Sequence, residues 1–293
     1  MNNQKKIFRI LSLAALSLLL AAVVIGVLNA LVADGKWTFG WRDYRYDEEG
    51  YTVGEGSIPT QSVGRIEVDW IDGEVEVVAC QDRYPSLTEI AQNELPESAQ
   101  VRWRVSEDGS TLSIKYRKSS WFLGVGSGNR EKKLILRIPE KLMDNLSVLD
   151  IEGVSTNVKV SDVRAESFVF SSVSGWLLTK NCAFGTASLS GESGELTLGA
   201  DIGGAVSIST QYGKVTLESS LAPSAVSIST KSGDIRLVLP SDASFGFDWS
   251  GKGSVTSDLP CTREGSVYRI GDGTLTYAVT SQKGDLYIVK KQA

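Results

Sequence analysis

The architecture follows from one stretch of the chain, Val206-Ser-Ile208-Ser-Thr-Gln-Tyr-Gly213-Lys-Val215-Thr-Leu217, in which two short alternating apolar runs are joined by a polar turn that ends in glycine. Related stretches run from Phe168 to Leu177, from Ala187 to Leu198 and from Val226 to Leu237. The shared glycine falls at positions 175, 194, 213 and 233, which gives a spacing of 19 or 20 residues. A fixed period of this kind is typical of repeat architectures.

The pattern also predicts how the copies fold. Because side chains alternate across a strand, Val206, Ile208, Val215 and Leu217 can all face one core. If successive copies stack in register, they form an all-β fold, a parallel single-strand β-solenoid with coils of 19–20 residues. Outlying copies begin at Ile66 and Tyr277, and Thr156 takes the place of one glycine. Turn positions that need a positive φ, or that have no room for a side chain, are predicted at Gly73, Gly175, Gly194, Gly213, Gly233 and Gly284.

An alternative remains open, because each copy could instead fold on itself as a hairpin. Pairing Ile208 with Val215 across Gln211-Tyr212 would also keep both apolar runs on one side. The constant period and the absence of Asn-Gly or Asp-Gly at this loop favour stacked coils. In such a stack the outward side chains form columns, one made of Ser171, Ser190, Ser209, Ser229 and Thr280 and another that brings Lys214 between Glu195 and Asp234.

The N-terminal region predicts a membrane anchor. Residues 10–33 carry no charged side chain and would form a helix about 36 Å long, enough to cross a bilayer. Lys5, Lys6 and Arg9 precede this stretch, which places residues 1–9 in the cytoplasm and the C-terminal part outside. A cleaved signal peptide is the alternative. The predicted organisation is a single-pass cell-membrane protein with a juxtamembrane linker (34–60) and a β-repeat domain (61–293) that carries an insertion at 79–148.

Three elements are predicted inside the insertion. Pro85 and Ser86 could start a short helix that Pro96 ends. Alternating residues on both sides of Glu107-Asp-Gly-Ser110 predict a hairpin, and Leu134-Ile-Leu-Arg-Ile138 predicts a strand.

Composition excludes several functional classes. A formal net charge of -5 argues against a nucleic-acid partner, and the absence of histidine removes histidine-based catalysis and metal binding. The three cysteines form no Cys-x-x-Cys pair. No catalytic residue, cofactor or metal is therefore predicted. A polysaccharide-active solenoid enzyme, the weakest alternative, would depend on the one charged grouping that stacking creates, Glu195, Lys214, Asp234 and Arg236.

One basic and aromatic cluster stands out in this acidic chain: Lys115, Arg117, Lys118, Trp121, Phe122, Arg130, Lys132 and Lys133. Its simplest interpretation is a hairpin extension whose aromatic rings pack onto the coil. The alternative is contact with an anionic membrane or wall polymer.

Several motifs carry a resemblance to a known family. They are Asp69-Trp-Ile-Asp-Gly73-Glu-Val75, Ser171-Ser-Val-Ser-Gly175, Ser229-Thr-Lys-Ser-Gly233-Asp234 and Leu134-Ile-Leu-Arg-Ile-Pro139. Over residues 60–290 the chain resembles the bacterial β-strand-repeat family of unknown function labelled "putative adhesin". That resemblance implies a toast-rack-like β-solenoid behind one membrane span, and a binding or scaffold module of the cell envelope. Its partner would be an envelope polymer or a host ligand. An envelope-stress sensor that partners a membrane protein fits the same organisation.

Overall fold

The computed structural model describes residues 44–119, 132–265 and 267–292, and those from Arg45 onward belong to one compact unit. Within these ranges the protein is all-β. Its helical segments there are one 3-10 turn, Glu97–Ala99, and one short α-helix, α1, Glu140–Met143. Neither is long and apolar enough to span a bilayer. The predicted membrane helix (10–33) and cytoplasmic segment (1–9) lie outside the described residues.

The strands fall into three groups along the chain. The first group contains β1 (Thr52–Val53), β2 (Gly56–Ser57), β3 (Arg65–Cys80), β4 (Ser86–Ala91), β5 (Arg102–Val105), β6 (Thr111–Lys115) and β7 (Lys132–Pro139). The repeat block contains β8 (Val148–Ser161), β9 (Arg164–Ser174), β10 (Leu177–Ser193), β11 (Leu196–Ile202), β12 (Ala205–Tyr212), β13 (Val215–Glu218), β14 (Ala225–Ser232) and β15 (Ile235–Leu239). The last group contains β16 (Phe245–Trp249), β17 (Val255–Ser257), β18 (Cys261–Glu264), β19 (Val267–Ile270), β20 (Leu275–Ser281) and β21 (Leu286–Lys290).

The repeat block is a stack of parallel coils. Val206 of β12 pairs with Ala187 of β10 on one side and with Val226 of β14 on the other. After the glycine turn, Val215 pairs in the same way with Leu196 and Ile235. Neighbouring strands therefore belong to successive copies, in the register that the 19–20-residue period predicts. The self-paired hairpin, which would place Ile208 opposite Val215, is not formed.

The alternation of side chains fills the interior of the stack. Val206, Ile208, Val215 and Leu217 are each at most 2% exposed, and their equivalents in the neighbouring copies are buried as well. The two strands of each coil thus contribute to one core, which continues from coil to coil. Burial of this apolar surface is the main stabilising contribution to such a stack.

The glycine turns are places of close backbone contact. At Gly213 φ is +143°, and a Cβ there would lie 1.8 Å from the carbonyl oxygen of Gly194 in the coil before it. Gly194 and Gly233 have the same combination of positive φ and obstructed space. Where Thr156 replaces glycine, its buried hydroxyl donates a hydrogen bond of 2.9 Å to the carbonyl oxygen of Trp70.

At both ends of the stack, the spatial order of the strands differs from their order in the sequence. At the C-terminal end, β14 and β15 pair with β20 and β21 rather than with β16 and β17. Strands β16 and β17 pair on the far side of β20 and β21, so the final coil in sequence is internal. At the other end, β3 lies between β8 and the outer strands β6 and β7. At the C-terminal end, the outermost coil is therefore the copy around Phe245, which follows β15 in sequence.

The insertion is built of strands. The predicted hairpin is confirmed by antiparallel β5 and β6, and the predicted strand by β7. The predicted helix after Pro85 is wrong, because Ser86–Ala91 forms β4 and pairs antiparallel with β7. This pairing buries Leu87, which is 2% exposed, and supplies hydrogen-bond partners to the outer edge of β7. Edge pairing outweighs the local helix-start signal here.

Candidate binding surfaces

One outward face of the stack is lined by hydroxyl groups. Ser190, Ser209 and Ser229 pair side by side in successive coils, as the sequence predicts, and the column continues to Ser171 and Thr280. A second column runs parallel to it through Ser188, Ser207 and Ser227. The six serines at positions 188, 190, 207, 209, 227 and 229 are all exposed and form what we call the serine face. It is regular, uncharged and made of short side chains.

The face formed by the other strand of each coil carries charges. The Lys214 ammonium lies 3.5 Å from the Glu195 carboxylate, which confirms the predicted neighbours, and both side chains are 51% exposed. Asp234 follows in the next coil, where its carboxylate accepts a hydrogen bond of 2.9 Å from the backbone N–H of Asp285. Arg236 lies on the same face, in the next outward position of β15. The charged residues on which the enzyme alternative depends therefore form a row along the surface of the stack, with one charge or more from each coil.

Lys132, which belongs to the predicted basic cluster, does not face solvent. Its side chain is 1% exposed, and its ammonium contacts the Glu89 carboxylate and the backbone carbonyl oxygens of Ala99 and Tyr116. The ammonium also lies 4.9 Å from the centre of the Trp70 ring. Burial lowers the pKa of Lys132 to about 8, although Glu89 acts in the opposite direction. Lys132 therefore joins the insertion to the stack and cannot contact a surface from this position.

The other described lysines of the basic cluster lie near carboxylates, and Arg117 is contacted through its backbone. Lys133 binds Glu74 at 3.1 Å and also contacts Glu76, and Lys115 lies 3.2 Å from Asp69. Lys118 is the most exposed of the three lysines and lies 3.9 Å from Glu48. The carbonyl oxygen of Arg117 accepts a hydrogen bond of 2.6 Å from the Tyr46 hydroxyl. Trp121, Phe122 and Arg130 lie outside the described residues, so their contact with an anionic surface stays a prediction.

The C-terminal part of the predicted linker is attached to this end of the domain. Strand β1 pairs with β5, and β2 pairs with β4. The Tyr46 and Tyr51 rings lie 5.0 Å apart, and the Arg104 guanidinium lies 4.8 Å from the centre of the Tyr51 ring. Residues 46–57 are thus connected to the insertion hairpin by strand pairing and ring contacts. Residues 34–43 of the predicted linker lie outside the described residues.

A groove at one corner of the stack was not anticipated. It has a volume of about 740 Å³, and we call it the corner groove. Its polar lining includes Asp162, Arg164, Lys180, Asn181, Asp201 and Glu218. Asp162 and Asn181 occupy equivalent corners of successive coils and both have positive φ, +60° and +53°, a conformation that Asp and Asn tolerate better than most residues.

Hydrogen bonds order the polar groups of the corner groove. The Asn181 amide donates to an Asp162 carboxylate oxygen at 3.2 Å, and an Asp201 carboxylate oxygen accepts from the backbone N–H of Ser220 at 2.8 Å. Lys291 lies 3.6 Å from Glu218. Across the described residues, no group of three or more Cys, Asp or Glu side chains is arranged to hold a metal ion.

Comparison with known proteins identifies the family. The family model described as Toastrack DUF4097 matches residues 63–220 and 151–289. The chain belongs to this family. The two matches overlap on the central coils, so the toastrack pattern reaches both ends of the stack. No curated protein matches the chain.

The chain is also similar to several solved bacterial structures, of which three are named here. A "putative adhesin" from Bacteroides fragilis has 12% identity and a TM-score of 0.44, with 81% of this chain and 97% of that chain covered. A "putative lipid binding protein" from Parabacteroides distasonis has 13% identity and a TM-score of 0.38, with coverage of 82% and 97%. A "putative cell adhesion protein" from Clostridium sporogenes has 12% identity and a TM-score of 0.34, with coverage of 82% and 100%. At such identities the similarities say nothing about the function of the toastrack domain.

A sequence signal for the corner groove of the toastrack domain does exist. Asp162 and Asn181 are 19 residues apart, and so are Asp201 and Ser220, so polar side chains recur near one corner of four successive coils. A register shift between the two pairs sets Asp201 opposite Ala183 rather than opposite Asn181. This signal is hard to recognise, because Asp, Asn and Ser are also the common residues of solvated turns.

Proposed function

We propose that this toastrack protein is a non-catalytic binding or scaffold module of the bacterial cell envelope, anchored by residues 10–33 and carrying its β-domain outside the membrane. The observation that carries the proposal is the in-register stacking of Ser190, Ser209 and Ser229. Stacking turns one exposed residue per copy into a continuous column. Extended faces of this kind are how repeat proteins contact large partners.

The geometry of the charged face supports binding rather than catalysis. A pair of carboxylates that performs acid–base chemistry needs a cleft that shifts one pKa. Glu195 and Asp234 instead lie in an open column with Lys214 between them, and all three are exposed. These side chains are arranged as a surface ion-pair ladder, which contributes little to stability and leaves the face solvated.

Capture from intact envelopes tests this function. The full chain, solubilised in mild detergent and immobilised through its N-terminus, is incubated with envelopes from the native host, and the retained material is analysed for both polysaccharide and protein. A binding module retains envelope polymer, whereas a sensor retains one membrane protein in a fixed ratio. Loss of retention when Ser190, Ser209 and Ser229 are all changed to Arg would assign the contact to the serine face. Retention of nothing above an empty-resin control would overturn the proposed function.

A further inference from the structure

The corner groove runs along the stack rather than along a strand. Asp162, Asn181, Asp201 and Ser220 come from successive coils, and neighbouring strands are about 4.8 Å apart, so these four corners span about 14 Å. A second cavity of about 910 Å³ adjoins the first and shares Ser220 and Lys291 with it. The second cavity extends to Asp258 and Lys290. A depression that crosses several coils in this way accommodates a linear chain better than a compact small molecule.

The charges of the corner groove select against a charged polymer. Its lining combines four carboxylates with three cations: Glu140, Asp162, Asp201 and Glu218 with Arg164, Lys180 and Lys291. Two of the cations have acidic neighbours, since Lys291 lies 3.6 Å from Glu218 and Arg164 lies 3.2 Å from Asp144. A polyanion or a polycation would meet like charges along the whole groove.

The same groups suit a ligand that both donates and accepts hydrogen bonds. Lys180 is exposed and makes no ion pair with any other residue in the described ranges, so its ammonium is available as a donor. The Asp162 and Asp201 carboxylates supply acceptors on either side of it along the stack. Hydroxyl groups can pair with both kinds of group, because each hydroxyl is a donor and an acceptor.

Two outward apolar side chains, one of them in the groove lining, lie next to each other at the start of one strand. Leu178 lines the groove and is 42% exposed, which is unusual for a large aliphatic side chain on a strand of this domain. Trp176 precedes it by two residues, so both point outward from either side of the buried Leu177. The Trp176 ring is partly exposed, and the Lys159 ammonium lies 5.4 Å from its centre. An indole beside polar groups offers a stacking surface for the apolar face of a sugar ring.

We propose that the corner groove, with Leu178 in its lining and Trp176 two residues before it on the same outward face, binds an uncharged linear β-1,4-linked glycan that lies along the stack axis. Such a glycan is an extended ribbon with hydroxyl groups along its edges and apolar ring faces, which matches the polar lining and the Trp176 ring. This inference rests on the proposed binding function and adds to it a second site, separate from the serine face, with its own ligand class.

Binding of two defined oligosaccharides tests the inference. Full-length protein in detergent is titrated with cellohexaose and with chitohexaose by calorimetry, with polygalacturonate and polylysine as charged comparators. Binding of at least one hexasaccharide is expected, with a weaker response to both comparators. Lys180→Ala and Trp176→Ala should each weaken hexasaccharide binding about tenfold, as the loss of a central contact does. Lys252→Ala, which removes an exposed lysine outside both the groove and the serine face, is the matched control and should bind like the wild type.

The possible results distinguish failure of the groove inference from failure of the proposed function. If envelope capture succeeds but neither hexasaccharide binds, the groove inference is overturned while the proposed function stands. Unchanged binding by Lys180→Ala, which alters an exposed side chain and should leave folding intact, would also overturn it. Preference for either charged comparator would contradict the uncharged ligand class. If Trp176→Ala fails to fold, Trp176→Phe is tested in its place. The change in tryptophan fluorescence on hexasaccharide binding should be smaller in Trp176→Phe than in the wild type.

Discussion

Val226 pairs in register with Tyr277 and not with Phe245, the residue that begins the next coil in sequence. The last coil of the chain is therefore enclosed between two earlier ones, and Tyr277 is 1% exposed. Its hydroxyl donates a hydrogen bond of 2.8 Å to the carbonyl oxygen of Pro223, and burial raises its pKa to about 12. Because the final coil is enclosed, the C-terminal end of the stack is not a simple continuation of the period.

The parallel register makes a prediction about proximity. Ser209 and Ser229 are direct neighbours in adjacent coils, so cysteines placed at both positions should react with a short thiol crosslinker within one molecule. The hairpin alternative would instead bring residue 209 opposite Lys214. In a background without the exposed Cys261, the pair Ser209→Cys and Ser229→Cys should crosslink much faster than Ser209→Cys and Lys214→Cys. Equal rates for the two pairs would contradict the stacked register.

The turn glycines should be sensitive where the outward serines are not. Replacing Gly213 by Val places a β-branched side chain at φ +143° against the Gly194 carbonyl group, and should lower the free energy of unfolding by about 1–3 kcal/mol or more. Ser209→Ala, only four residues away on the serine face, should change it by less than about 0.5 kcal/mol. Urea unfolding followed by circular dichroism measures both. Similar losses for the two variants would refute the close turn contact.

Two adjacent lysines should differ strongly in their contribution to stability. Lys132 is buried against Glu89, so Lys132→Met leaves a carboxylate unpaired in the interior and should cost about 3–5 kcal/mol. Lys133 is 30% exposed, and Lys133→Met should cost less than about 1 kcal/mol although it loses contacts to Glu74 and Glu76. Urea unfolding of the two variants under identical conditions compares them, and equal losses would mean that Lys132 is not buried.

Lys132 also predicts a pH dependence. Its pKa in the folded protein is about 8, below the ordinary 10.5, so between these pH values the unfolded chain binds more protons than the folded one. The free energy of unfolding contributed by Lys132 should therefore rise as pH increases from about 8 towards 10.5. Tyr277 acts in the opposite direction above its unfolded pKa of 10, so the comparison of wild type with Lys132→Met belongs below that pH. A wild-type profile parallel to that of the variant would contradict the shifted pKa.

Much of the coil could be predicted from the sequence because its determinants are local. The alternation around Val206 and Val215 sets which side chains are buried, and a glycine at a constant step sets the turn. The coil order at the ends could not be predicted in this way, since pairing of Val226 with Tyr277 depends on which distant edge is free. The burial of Lys132 depends likewise on Glu89 and Trp70, which the fold brings together from distant positions.

The strand Ser86–Ala91 and the corner groove could not be predicted from the sequence for the same reason. Pro85 and Ser86 give a local helix-start signal, but the unpaired edge of β7 is a stronger constraint and recruits the segment as a strand. The corner residues Asp162 and Asn181 look like ordinary turn residues until stacking brings them side by side. In both cases the deciding information is the identity of the spatial neighbour.

The location of the domain is the claim on which a role in the envelope most directly depends. We therefore propose to treat intact protoplasts that carry the full chain, tagged at its N-terminus, with an external protease, and to follow the tag and the β-domain by immunoblotting. The account predicts that the β-domain is removed or becomes accessible to antibody from outside, while a short tagged fragment containing residues 10–33 stays in the membrane. Complete protection of the β-domain in intact protoplasts, with digestion only after lysis, would contradict it.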